Sequence, residues 1–230
     1  MFFKVLTFLW LVYGAPFTGY LNQWWSSQVN QPRLIKEAIL TARSDRELLS
    51  QLQAKALSRQ IVRVSKCFDL DPILFTSLVW RESHFRQGSR SLTGAVGMTQ
   101  LTTPGIHEVL DRVASESLRK NEKIRQQLAS CYPSVLKQVP VRVRPEQLPA
   151  WKRKIAASPE LALVFGAILF ESYHSGDERM ALEKYNGDPK VKVSFANDVL
   201  ALRFWIASSF RVIPEIPAGN SKFLASIQDL

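Results

Sequence analysis

The stretch from Phe75 to Leu101, FTSLVWRESHFRQGSRSLTGAVGMTQL, limits how this chain folds more tightly than any other. It begins with helical periodicity and ends in a loop punctuated by Gly88, Gly94 and Gly97. Glu82 stands at the junction. Phe75, Leu78 and Val79 precede it by seven, four and three residues, so at 3.6 residues per turn the four side chains share one helix face. An apolar face is the one a helix buries, so a carboxylate at its end loses water and its ionised form is disfavoured. A carboxylic acid kept protonated near neutral pH is what a general acid requires. The competing arrangement is a glutamate at a helix end that points to water and does nothing. After the loop, Thr102-Thr103-Pro104 supplies a hydroxyl cap and a proline for a new helix. The predicted order is helix, acid, loop, helix, with the acid at the mouth.

The flanking segments are also helical in pattern. Gln31 to Arg43 is modestly amphipathic. Ser44-Asp45-Arg46-Glu47 has the form of a capping box, and Leu48, Leu49, Leu52, Leu57, Ile61 and Val64 follow it. That spacing predicts a long helix to about Lys66, packed on the Glu82 helix. Asp71-Pro72 then provides the cap and first residue of the Glu82 helix. Pro104 to about Arg112 and the charged run Ser115 to Ser130 read as helices, whereas Pro133, Pro140, Pro145 and Pro149 break the stretch from Tyr132 to Pro149. Residues 113–158 are longer than a compact helical domain needs and read as an insertion, either a lid or partner surface or an inert loop. Ser158-Pro159-Glu160 starts an almost wholly apolar helix to Tyr173, in which Gly166 permits close packing. A short helix from Asp177 to Lys184, an Asn-Gly-Asp-Pro turn and a long helix from Val191 to Ser209 close the domain. From Arg211 onward the Pro and Gly content predicts a tail. No strand signal of similar strength occurs, so the expected fold class is all-α.

Length and charge narrow the function. A chain of 230 residues suits one domain with extensions, and a net charge of +10 favours an anionic partner: nucleic acid, acidic membrane or cell-wall polymer. Apart from Trp151-Lys152-Arg153-Lys154 the basic residues are spread thinly. No zinc-finger spacing, RNP-type motif or helix-turn-helix pattern accompanies them, which sets nucleic acid aside. The apolar run Val5 to Tyr13 has the length of a signal-peptide core and is short for a membrane span. Export through residues 1–20 is the better-supported reading. An uncleaved anchor continuing through Phe17, Tyr20, Leu21, Trp24 and Trp25, or a buried segment of a cytosolic protein, stays open. Cys67 and Cys131 can pair if the chain is exported, or stay as two thiols. His84, His107 and His174 lack ligand spacing, so no metal or other cofactor is expected, and His84 is expected to face away from Glu82.

Two blocks resemble a known family. Glu82-Ser83-His84-Phe85, then Ser91, then Gly94-Ala95-Val96-Gly97-Met98-Thr99-Gln100 is similar to the soluble lytic transglycosylases, which cleave peptidoglycan. That family carries Glu-Ser, a Ser nine residues after the Glu, and Gly-Ala-x-Gly-Leu-Met-Gln at this spacing. Ala181-Leu182-Glu183-Lys184-Tyr185-Asn186-Gly187 resembles its later Ala-x-x-x-Tyr-Asn-Ala-Gly motif. The resemblance covers roughly Ile61 to Ser209. It implies a lysozyme-like catalytic domain over residues 61–210, preceded by a helical extension over 21–60.

The resemblance also implies a mechanism. Glu82 would act alone as acid and then base between N-acetylmuramic acid and N-acetylglucosamine, leaving a 1,6-anhydromuramoyl end. The block from Arg81 to Leu101 holds a single acid, whereas glycoside hydrolysis usually needs two. Ser91 and Tyr185 would orient the acid, Gln100 and Asn186 would contact sugar or acetamido groups, and Gly94 and Gly97 would admit the glycan. The family's Leu-Met is Met98-Thr99 here, which predicts a smaller, more polar groove wall. Two alternatives remain beside it: a lysozyme-type hydrolase with a second carboxylate, and a non-catalytic wall-binding subunit of an envelope or secretion machine that docks through residues 113–158.

Overall fold

The structure is a computed structural model describing residues 31–43, 50–114 and 119–209, with backbone alone for 119–121. The expected leader or anchor, the capping box at 44–47 and the tail lie outside the described residues. Every regular element among the described residues is a helix: α1 (Gln31–Ala42), α2 (Gln51–Cys67), α3 (Pro72–Ser83), α4 (Thr103–Ala114), α5 (Arg119–Cys131), α6 (Pro133–Leu136), a 3-10 turn (Pro145–Gln147), α7 (Leu148–Ala157), α8 (Pro159–Tyr173), α9 (Glu178–Asn186) and α10 (Lys192–Ser209). Isolated bridges pair Val96 with Arg90 and with Leu101.

Local chemistry explains where these helices begin. Asp71 caps α3 by accepting from the Ile73 N–H, with Pro72 in the first turn. Ser158 caps α8 and Asp177 caps α9 in the same way. On α2 the described cap is Ser50 with Gln53, each side chain bonded to the other's backbone N–H. Leu52 departs from its expected place in the apolar stripe and is 78% exposed. It lies five residues from Leu57, about 140° round the helix, so it points away from the buried face.

The centre of the fold is α8. Leu161 to Phe170 are all buried, and this helix touches α2, α4, α7 and α9. The acid-bearing helix α3 packs between α2, α1 and α10. Arg203 on α10 bonds both Asp71 and Glu178, and Arg81 pairs with Asp198 at 3.0 Å, so the starts of α3 and α9 are held to one strut. The proline-rich insertion is more regular than its sequence predicts. Pro133 and Pro149 fall in the first turns of α6 and α7, where the missing N–H costs nothing. Trp151 and Ile155 of α7 are buried, so the basic cluster is the outer side of an amphipathic core helix.

Cys67 and Cys131 form a disulfide, with Cα atoms 6.3 Å apart, that joins the end of α2 to the end of α5. Arg63 reinforces the seam by donating to the Cys131 carbonyl at 2.8 Å and stacking over Tyr132. The bridge closes a loop spanning a sequence separation of 64. Chain entropy makes that worth about 4 kcal/mol. Reduction should therefore lower the thermal midpoint by about 10 °C. A midpoint indifferent to reductant would show that the bridge constrains nothing.

Candidate active site

Glu82 occupies the last turn of α3, and the chain reverses immediately after it. His84 and Phe85 both adopt the left-handed region, at φ 52° and 58°. Two such non-glycine residues in succession cost about 1–2 kcal/mol each. The reversal buries Phe85 against Trp80, which offsets that cost, and leaves His84 exposed. Burial, then Arg86 and Arg81, lower the proton affinity of His84, and no bond links it to Glu82.

The following loop is docked rather than loose. Ser83 donates its hydroxyl proton to the Met98 carbonyl at 2.7 Å, tying the helix end to the far limb of the loop. Val96 and Leu101 exchange backbone bonds of 3.1 and 3.0 Å. Gly94 and Gly97 carry φ values of +81° and +78°, which side-chain-bearing residues rarely adopt. A Cβ on Gly97 would also meet Ala162 at 3.3 Å, and one on Gly94 would meet the Lys152 ammonium at 3.2 Å. The insertion thus returns through α7 to support the loop. Gln87 anchors the near limb, donating from Nε2 to the carbonyls of Ile155 at 2.7 Å and Ala156 at 2.9 Å.

Thr99 links this loop to the core. It is fully buried, its hydroxyl donates to Ala162 O at 2.8 Å, and it packs on Gly166, where a Cβ would approach within 2.5 Å. Of the expected groove-wall pair, both side chains are buried and Thr99 faces α8. The Thr99 carbonyl accepts from the Tyr185 hydroxyl at 2.8 Å, which sets the position of that phenol from α9.

The charge of Glu82 is felt at Tyr185. Burial raises the pKa of Glu82 from 4.5 to about 8, against the opposing pull of Arg81. Burial, and next the charge of Glu82, hold the Tyr185 phenol well above its ordinary range, so it stays a neutral donor. Among the described residues no hydrogen bond reaches the Glu82 carboxyl, which leaves its proton available to an incoming atom.

The other expected site residues have local roles. The Ser91 hydroxyl accepts from Ala95 N at 2.9 Å and pairs with Thr93, shaping its own turn. The Gln100 amide donates to the carbonyls of Gly97 at 2.9 Å and Ser89 at 3.2 Å. Asn186 ends α9 and accepts from Asp188 N at 3.3 Å, while Gly187 turns the chain at φ 72°. Of the expected set, Tyr185 is the residue whose proton affinity responds to the charge of Glu82, while the Ser91 hydroxyl and the Gln100 amide nitrogen bond within the loop itself.

Three other carboxylates are engaged. Glu108 accepts from the Tyr173 hydroxyl at 2.6 Å and from Arg112 at 2.8 Å. Asp111 faces His107 at 3.0 Å, and Glu171 faces Lys123 at 3.3 Å. Glu183 lies two residues before Tyr185, about 200° round α9. No three His, Cys, Asp or Glu side chains among the described residues converge as metal ligands.

Reasoning from sequence gives no role to Gln87 or Tyr173, names Ser83 only as part of the Glu-Ser block, and places Thr99 in a groove wall rather than in the core. Their partners lie far along the chain, and only Ser83, adjacent to the acid, carried a local hint. A cavity of about 780 Å³ opens between α2 and the near limb of the loop, and Glu82 is not among the described residues lining it. Comparison of the chain with protein-family models, with curated proteins and with solved structures finds no match.

Proposed function

We propose that this protein is a lytic transglycosylase with a lysozyme-like catalytic domain that cleaves peptidoglycan glycan strands. The observation that carries the proposal is the carboxyl of Glu82 at the end of α3, desolvated so that its pKa rises to about 8, with its charge felt at the Tyr185 phenol that Thr99 holds in place. At neutral pH such a group is mostly protonated and able to donate. Glu82 gives its proton to the oxygen between N-acetylmuramic acid and N-acetylglucosamine. The C1–O bond breaks and its electron pair goes to that oxygen. The Glu82 carboxylate then takes the proton of the muramoyl C6 hydroxyl, whose oxygen bonds to C1. Glu82 is restored, water is not consumed, and the product ends in a 1,6-anhydro ring.

Several features support this reading. Glu108, Asp111 and Glu171 are each engaged with a partner of their own, as suits a reaction that needs one acid. The net charge of +10 suits an anionic wall polymer. The Cys67–Cys131 bridge suits an exported, envelope-located protein, since disulfides persist in oxidising compartments.

Incubating the full chain with isolated sacculi and weighing the soluble fragments tests the proposal. Muropeptides lighter by one water than the reducing-end forms are expected. Reducing ends instead would indicate a hydrolase. Intact sacculi with folded protein would indicate a binding subunit.

A further inference from the structure

The cavity of about 780 Å³ lies within the range of small-ligand sites, yet its walls are not those around Glu82. One wall is a face of α2 that presents Gln60 and Leu57, and the other is the loop from Phe85 to Arg90. Arg86 and Arg90 stand on that loop with exposed side chains and no ion pair among the described residues. Phe85, Leu57 and Met98 form an apolar floor, each under a tenth exposed. The loop wall is rigid because Gln87 bonds it to two carbonyls of α7.

These walls specify a ligand. Two guanidinium groups call for carboxylate or phosphate, and fixed carboxamide and backbone polarity calls for amide groups. The apolar floor calls for aliphatic carbon between them. Phe85 is only 2% exposed and offers no open ring face, so a nucleobase or sugar ring has nothing to stack on. A short peptide with carboxylate side chains meets all three demands.

We propose that this cavity is a second binding site, one that takes a short carboxylate-bearing peptide. The choice of the peptide stems of the wall polymer as its occupant rests on the function proposed above. Occupancy bears on Glu82 through one residue. Met98 lines the cavity, and its carbonyl accepts from Ser83, next to the acid. A peptide seated there braces the loop that shapes the site.

The test uses the full chain and the free stem tetrapeptide L-Ala-γ-D-Glu-diaminopimelate-D-Ala, titrated calorimetrically at low salt. Saturable binding of one peptide per chain is expected, weakened about tenfold or more in an Arg86→Gln, Arg90→Gln double variant and unchanged in Glu82→Gln. Overturning results are the absence of saturable binding, equal binding by the double variant, or displacement by inorganic phosphate at concentrations matching the peptide, which would mark a generic anion site. Peptide-free glycan strands separate the two proposals. If they are cleaved while the tetrapeptide fails to bind, the second site is lost and the enzyme stands. If the tetrapeptide binds and no strand is cleaved, the reverse holds.

Discussion

Glu82→Gln is expected to abolish glycan cleavage, by about a thousandfold or more, while stabilising the folded protein above pH 8. The amide keeps the size of the side chain and cannot donate a proton to the leaving oxygen. The stability effect follows from linkage. Burial raises the proton affinity of Glu82 in the folded state from 4.5 to about 8. Below pH 4.5 the carboxyl is protonated whether the chain is folded or not, and the substitution changes little. Between those values the unfolded chain ionises first, so the native protein loses stability as pH rises, and the loss is complete above about 8. Glutamine escapes it. At about 1.4 kcal/mol for each tenfold change in proton affinity the ceiling is about 5 kcal/mol. Glu82 is only partly buried by surface area, and solvent screening brings the expected gain to about 2 kcal/mol. The same ionisation should make wild-type kcat/KM fall as pH passes about 8. Denaturant unfolding of both proteins at pH 5 and pH 9 is the measurement. Equal differences at the two pH values would mean that Glu82 is solvated and its role as acid is lost.

Gly166→Ala is the second substitution with a large expected effect, although it adds a single methyl group to a helix. The new carbon would lie 2.5 to 2.8 Å from three atoms of Thr99. Thr99 is β-branched and fully buried, and it is held by Ala162 through its hydroxyl and by Tyr185 through its carbonyl. It cannot step aside without moving the loop. The gain in helix propensity, about 1 kcal/mol, does not cover the overpacking, and a net loss of about 2 kcal/mol is expected. Because Tyr185 is positioned by the displaced carbonyl, kcat should fall by about tenfold to a hundredfold in protein that still folds. Thermal unfolding and cleavage rates measured on one preparation would decide the matter. Wild-type values for both would show that the contact is soft.

Much of the helix order was legible because its determinants are local. Asp71-Pro72, Ser158-Pro159 and Asp177 are caps whose partners lie two or three residues away, and they start helices where expected. The apolar run to Tyr173 had to be buried, and α8 is the centre of the fold. The reading of 132–149 as broken holds for 137–144, and the prolines at its two ends open first turns instead, since the same residue breaks a helix interior and suits a helix start. Leu52 misled the reading of α2, because its spacing from Leu57 misses the buried face.

The same division holds at the site. That Glu82 ends an apolar helix face followed by a glycine-rich reversal is written in the order of residues, because helical geometry depends on near neighbours. Which polar atoms are spent on the loop and which stay available is not. Ser83 meets Met98, Gln87 meets α7, and Thr99 meets α8 and Tyr185 across separations of 15 to 86 residues. A hydrogen bond between distant segments forms only once packing has brought them together, so tertiary structure alone docked the loop and decided which polar atoms it uses.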